Sequence, residues 1–274
     1  MKKVQLSHEA GKHAIIWAIL GFSFFPLYVM LVISFKNNSQ FIESHFLPTF
    51  PLHPENWVHG WNIVKGYIAN SIFVAVLSVI TMLITAIMGA FVFARYKFRG
   101  KTILWYLFLC LLFMPGIVNL VPEFIIMREL DLLNSLIGLA IVYTVGGQVF
   151  CMFVLRNFIE DIPEDLFEAA EVDGAGVIHQ IRHIVLPMSG GILSALAIMR
   201  FLVSWNTFIP ALVYINAEYK QLIPVGLMRL DGEYVKQWGE MMAGYSIAAV
   251  PLVIIFLFTM RLFAKGLTAG AVKG

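Results

Sequence analysis

The sequence predicts an all-α integral membrane protein with six transmembrane helices in one domain over residues 1–274. Two observations carry this. The 274 residues are 59% hydrophobic and only 13% charged, with a mean hydropathy of +0.82. A soluble domain carries about 25% charged residues, so this chain lacks the polar surface that water demands. Six stretches also reach the roughly 20 apolar residues that cross a hydrocarbon core. They cover residues 14–35, 68–94, 103–121, 136–155, 188–214 and 243–263. Helices satisfy their own backbone hydrogen bonds in lipid, and the short alternating segments of a barrel are missing.

The first span follows Lys2, Lys3 and Lys12, as the core of a signal peptide would. It is too long for one and runs into Ser34-Phe35-Lys36-Asn37-Asn38 without a small-residue cleavage site, so an uncleaved anchor is expected. Between the second and third spans lie Arg95, Lys97, Arg99 and Lys101. Between the fourth and fifth lie Arg156 and Arg182, and after the sixth come Arg261, Lys265 and Lys273. The opposite side holds fewer cations: Lys36, Lys65, Arg128, Lys220, Arg229 and Lys236. The excess puts both termini in the cytoplasm. Cys110 and Cys151 fall inside spans, where cysteine acts as a small apolar residue.

The outer connections, 36–67 and 215–242, are long. The first has turn and interface chemistry in Pro48, Pro51, Pro54, Trp57, Gly60 and Trp61. The second mixes Lys220, Arg229, Asp231, Glu233, Lys236 and Glu240. Each reads as a solvated connector or as a docking surface for an external partner.

The fourth–fifth connection, 161–187, carries most information. Pro163 suits a first helical turn, with Glu164 and Asp165 where the helix dipole favours acids. Leu166, Phe167, Ala169 and Ala170 form an apolar face, and Gly174 fits the stop. A second helix then starts near Ala175, with Val177 or Ile178, Ile181 and Ile184 at helical spacing, and Pro187 ends it. Two short amphipathic helices at an angle result. Physics alone permits an interfacial pair in the headgroups or a lever docked on a cytoplasmic protein.

Glu168-Ala169-Ala170, Asp173-Gly174 and Ile184-x-Leu186-Pro187 resemble the EAA loop of binding-protein-dependent ABC importer permeases. Trp205-Asn206-x-Phe208, the run Leu130 to Leu139, Met114-Pro115 with Pro122, and the tail from Lys265 resemble the sugar-transporting branch, in particular the second, shorter permease of maltose-type importers. The resemblance covers about residues 12–274. It implies the type I importer permease fold, with Glu168, Ala169, Ala170, Asp173, Gly174, Ile184, Leu186 and Pro187 in a coupling segment that moves with ATP-binding subunits. It further implies a second permease subunit, two ATP-binding subunits, an extracytoplasmic solute-binding protein, and a place in the bacterial inner membrane. ATP and Mg would be bound by the partner ATPases and no cofactor by this chain.

Enzymatic readings find little support. Gly100-Lys101-Thr102 ends like a phosphate-binding loop, but Arg95 stands where the pattern needs Gly. His179 and His183 are four apart, but Gln180 replaces the Glu of a zinc-protease helix, so no metal is expected. No catalytic residue and no nucleic-acid partner is expected. A secondary transporter would need an ion-coupling site and commonly more spans.

Sugars need hydrogen-bonding and aromatic groups inside the bundle. Asn119, Tyr143, Thr144, Gln148, Trp205 and Asn206 are candidates for the path, or structural polar residues between helices. Gly146-Gly147 allow close packing or a bend. Arg200 is the unusual residue. A cation at mid-span costs about 2.5–3.5 kcal/mol on insertion scales, so it is expected to meet water in the path, with Glu123 a weaker partner, or an acid on the second permease. If Arg200 contacts the solute, an acidic or phosphorylated sugar becomes a candidate; separately, the family resemblance leaves an importer of sn-glycerol 3-phosphate or its diesters as the alternative.

Overall fold

The computed structural model describes residues 2–231 and 237–271, with side chains described for 11–228 and 237–259. Among the described residues every regular element is helical. Four helices are long and apolar enough to cross a membrane, and two bent pairs raise this to six when each pair is one span. The chain packs as two compact units, one of Met1–Lys65 with Leu227–Val250 and one of Gly66–Gly226 with Pro251–Gly274.

In the first unit, α1 (Lys2–Ser34) is an apolar helix whose span window has no buried residue. It leads to α2 (Asn38–Glu43). Asn37 caps α2 reciprocally, accepting from the Gln40 backbone while its own N–H donates to the Gln40 side chain. The connector expected over 36–67 is largely helical, because α3 (Glu55–Arg95) begins well before the apolar span. Polar residues on its first turns hid this from hydropathy, and they bond inward. Asn56 Nδ2 donates to the Ser34 and Lys36 carbonyls at 3.0 and 2.9 Å, and Trp57 Nε1 donates to Ser34 Oγ at 3.1 Å. Trp57 is therefore tied to the end of α1. Lys36, expected as an outer charge, is buried, and its Nζ donates to the carbonyls of Ser44 and Leu47. Trp238, at the start of α13 (Trp238–Ala271), stacks on Phe41 at 4.5 Å. Residues 232–236 and 272–274, and the side chains of Arg229, Asp231, Arg261 and Lys265, lie outside what is described.

In the second unit the third span is broken. α4 (Lys101–Cys110) passes through a 3₁₀ turn, Leu111–Phe113, to an extended Met114. A second 3₁₀ turn, Gly116–Asn119, then enters α5 (Leu120–Glu129), bent by 98° from the first half. Pro115 causes the break. It lacks an N–H and pushes the residue before it out of the helical region. The turn to α6 (Leu136–Glu160) places Asp131 and Asn134 at φ +52° and +57°, a conformation that Asn and Asp tolerate best. Asn134 ties the turn down, since its side chain accepts from Ala217 N at 2.9 Å and its carbonyl from Lys220 Nζ at 2.8 Å.

The fifth span is also interrupted. α7 (Glu164–Val172) and α8 (Val177–Gln180) precede a π-helical turn at Ile181–Val185, α9 (Leu186–Met188) and α10 (Gly190–Asn206). Pro187 does not end the second short helix. The π turn upstream absorbs its missing donor, with Leu186 N–H bonding back to Ile181 O, and the sharp change of direction, 82°, follows at Ser189. A further break at Thr207 separates α10 from α11 (Ile209–Tyr214), which carries Pro210 in its first turn. α12 (Ile223–Asp231) follows.

Candidate functional site: an elbow and a cavity

The elbow at 161–189 is built on a buried anchor. Phe167 is fully buried beneath the Arg95 guanidinium, which lies 4.1 Å from its ring centroid, and Arg95 pairs with Glu164 at 3.3 Å. Ile162, Val185, Ile181 and Ile184 join the same core as Met82, Phe91 and Leu155. The α7 helix ends in a Schellman motif. Gly174 N donates to Glu171 O and Ala175 N to Ala170 O, with Gly174 at φ +77°. Pro163 caps α7 from outside rather than entering its first turn.

The elbow's surface differs from its expected apolar face. Phe167 points inward, but Leu166 is exposed on the other side, because neighbours in sequence on a helix diverge by about 100°. Glu168, Ala169 and Asp173 are exposed and Ala170 is half-buried. Ile184 is half-buried against the core, and Leu186 and Pro187 are exposed. Val172 and Ile178 are 88% and 78% exposed. Two apolar side chains thus stand uncovered near exposed acids. His179 and His183 stack at 4.0 Å, with His183 Nδ1 3.0 Å from the His179 carbonyl.

A cavity of about 330 Å³ opens within the second unit where both broken spans meet α6. Its wall takes Gly116, Ile117, Leu120 and Glu123 from the third span and Val142, Tyr143 and Gly146 from the fourth. The fifth span supplies Arg200, Val203, Ser204 and Thr207, followed by Ile209 and Pro210. Irregular backbone at membrane depth is tolerated where it lines a cavity, and Gly116 and Thr207 do so.

The candidates for the path separate. Tyr143 and Arg200 line the cavity, and Tyr143 Oη donates to the Thr207 carbonyl at 3.1 Å, tying α6 to the break after α10. Gln148 instead accepts from Thr85 Oγ1 at 3.0 Å, and Thr144 shares a 2.7 Å hydrogen bond with Thr81. Trp205 is buried and stacks on Phe201 at 5.6 Å. Asn206 is exposed and donates to Leu202 O of its own helix at 2.8 Å. Asn119 is half-buried and outside the cavity wall.

Arg200 forms no ion pair among the described residues. Its Nη2 reaches the Tyr143 carbonyl at 3.5 Å, and its buried Nε has no partner. Glu123 accepts from Tyr214 Oη at 3.1 Å instead. Sequence reasoning missed Ser204, Thr207 and Gly116 as cavity residues. A signal existed in the Met114-Pro115-Gly116 break, since a kinked span exposes backbone to whatever fills the space.

Known proteins share both the sequence pattern and the fold. Residues 85–269 match the family described as binding-protein-dependent transport system inner membrane component. The chain is 35% identical to a probable ABC transporter permease protein of Bacillus subtilis, over 91% of this chain and 84% of that one. It is 31% identical to the diacetylchitobiose uptake system permease protein of Streptomyces coelicolor, over 91% and 92%. A bacterial ABC transporter involved in import of the acidic polysaccharide alginate shares its fold, with a TM-score of 0.83 over 93% of this chain and 95% of that chain at 19% identity. The chain belongs to the inner-membrane components of binding-protein-dependent transport systems, the non-catalytic permease subunits of ABC transporters.

Proposed function

We propose that this permease imports a carbohydrate, an oligosaccharide or sugar derivative with acidic ones included, into the cytoplasm. The observation that carries the reading is the 31% identity, along nearly all of both chains, to a permease of diacetylchitobiose uptake. The cavity suits such a cargo, since Tyr143, Ser204 and Thr207 stand in its wall beside Arg200 and Glu123. Both termini face the cytoplasm in this reading, which the excess of Lys and Arg on that side supports.

The elbow couples this path to ATP. Glu168, Ala169 and Asp173 face outward together with Val172 and Ile178, whose exposed apolar surface fits a groove on an ATP-binding subunit. Gly174 sets the angle between α7 and α8. Ile184 roots the second arm in the core, while Leu186 and Pro187 carry it into the 82° bend. Two ATP-binding subunits hold ATP and Mg, a second and different permease completes the pathway, and an extracytoplasmic binding protein delivers the solute. Closure of the ATPases moves the elbow as a two-state element.

The test is a purified, reconstituted complex carrying Glu168→Cys in a background without Cys110. A thiol-anchored photoreactive cross-linker at position 168 is expected to link it to an ATP-binding subunit, and ATPase activity is expected to rise with a sugar-loaded binding protein. Cross-linking to lipid alone, with no ATPase in the complex, would sink the coupling role. Stimulation by non-carbohydrate solutes only would sink the substrate class.

A further inference from the structure

Arg200 is poorly matched to a purely structural role. Its head leans on the fourth span at Gly147, where a Cβ would collide with Arg200 Nε and Cζ and with Met82 Sδ. Any larger residue at 147 would displace the guanidinium, so its seat in the wall depends on that glycine. Seated there, the group is half-buried, has one long bond to a backbone carbonyl, and leaves Nε without an acceptor. The acid of the same cavity wall, Glu123, is engaged by Tyr214. With Nε buried against Gly147, the terminal nitrogens are the donors left to a solute in the cavity that Arg200 lines together with Ser204 and Thr207, and a guanidinium so placed suits a planar or tetrahedral anion.

We propose that Arg200 reads an anionic group on the transported solute, a carboxylate, sulfonate or phosphate, as it passes between the broken third and fifth spans. This rests on the reading of the chain as an import path and narrows its cargo to acidic carbohydrates or sugar phosphates. The guanidinium donates to the anion, while the Ser204 and Thr207 side chains stand beside the uncharged part.

The test measures equilibrium binding to the assembled detergent-purified complex. The probes are trigalacturonate against its methyl ester, glucose 6-phosphate against glucose, and sn-glycerol 3-phosphate against glycerol. The wild type is expected to prefer one anion over its uncharged counterpart by at least about 30-fold, the scale lost when a buried charge partner is removed. In Arg200→Met the ratio falls to about one, and Arg200→Lys restores part of it, which a packing defect would not do. Preference for trigalacturonate identifies a uronate cargo. Preference for the glycerol phosphate alone, with none for glucose 6-phosphate over glucose, keeps the role of Arg200 while overturning the carbohydrate reading. No preference by the wild type for any of these anions overturns the inference, and so does a preference that survives Arg200→Met. Should Arg200→Met fail to assemble, the double variant with Glu123→Gln is made. Restored assembly would make Glu123 the partner of Arg200 and refute the proposal. With continued failure, Arg200→Lys and the wild type are compared instead, and equal ratios in the two refute it.

Discussion

The elbow and the cavity are built in opposite ways. The elbow takes every residue from one run, 161–189, and much of its shape follows from local rules: a cap at Pro163 and a left-handed glycine at 174. The cavity takes its wall from three stretches far apart in the chain, and only their packing brings Gly116, Tyr143 and Arg200 to one place. The elbow is held by one buried aromatic, whereas the cavity is held open by helix breaks and by a glycine that makes room for a cation. A contiguous device can be identified from its spelling. A dispersed one becomes visible only when the chain has packed.

Substitutions can break or sharpen this contrast. The largest effect is expected from Phe167→Ala, since removing a fully buried aromatic costs about 3–5 kcal/mol. Thermal unfolding of the purified complex should show the loss, and the elbow should become protease-sensitive. An unchanged profile would mean that Phe167 does not anchor the elbow. Next comes Gly147→Leu, which should cost about 1–3 kcal/mol by overpacking against Arg200 and Met82. Its neighbour Gly146 has open space around its Cβ position, so Gly146→Ala should stay within about 0.5 kcal/mol. Equal melting temperatures for the two variants would show that Gly147 does not make room for the cation.

Gly174→Val places a β-branched residue at φ +77° and should cost about 1–2 kcal/mol, while Gly174→Asn should cost less. The informative readout is ATPase stimulation by loaded binding protein, which should fall in the valine variant more than folding does. If both variants are stimulated normally, the angle of the elbow does not matter for coupling. The smallest effect is expected from Asn206→Ala. This exposed side chain bonds its own helix, so stability should change by less than about 0.5 kcal/mol and uptake should persist. A strong uptake defect would return Asn206 to the path and extend the site beyond the cavity.

Legibility followed the range of the physics involved. Hydropathy found the apolar spans because lipid demands long apolar helices, and it stopped short at α3, whose first turns are polar yet bond to the end of α1. Proline chemistry signalled trouble at 115, but it could not supply the 98° bend, which depends on what surrounds the break. At Pro187 the local rule misled. A proline can end a helix or be absorbed by a π turn, and packing of Ile181, Ile184 and Val185 into the core selected the second outcome.

What the residues alone determined is the solvent, the helical class, the elbow and the odd cation at 200, because each depends on composition or on neighbours within a few turns. What the tertiary structure decided is the company that cation keeps. Gly147, Tyr143 and Glu123 meet Arg200 or its cavity only after three spans have packed, and contacts between residues remote in the chain leave no periodic trace in any one segment.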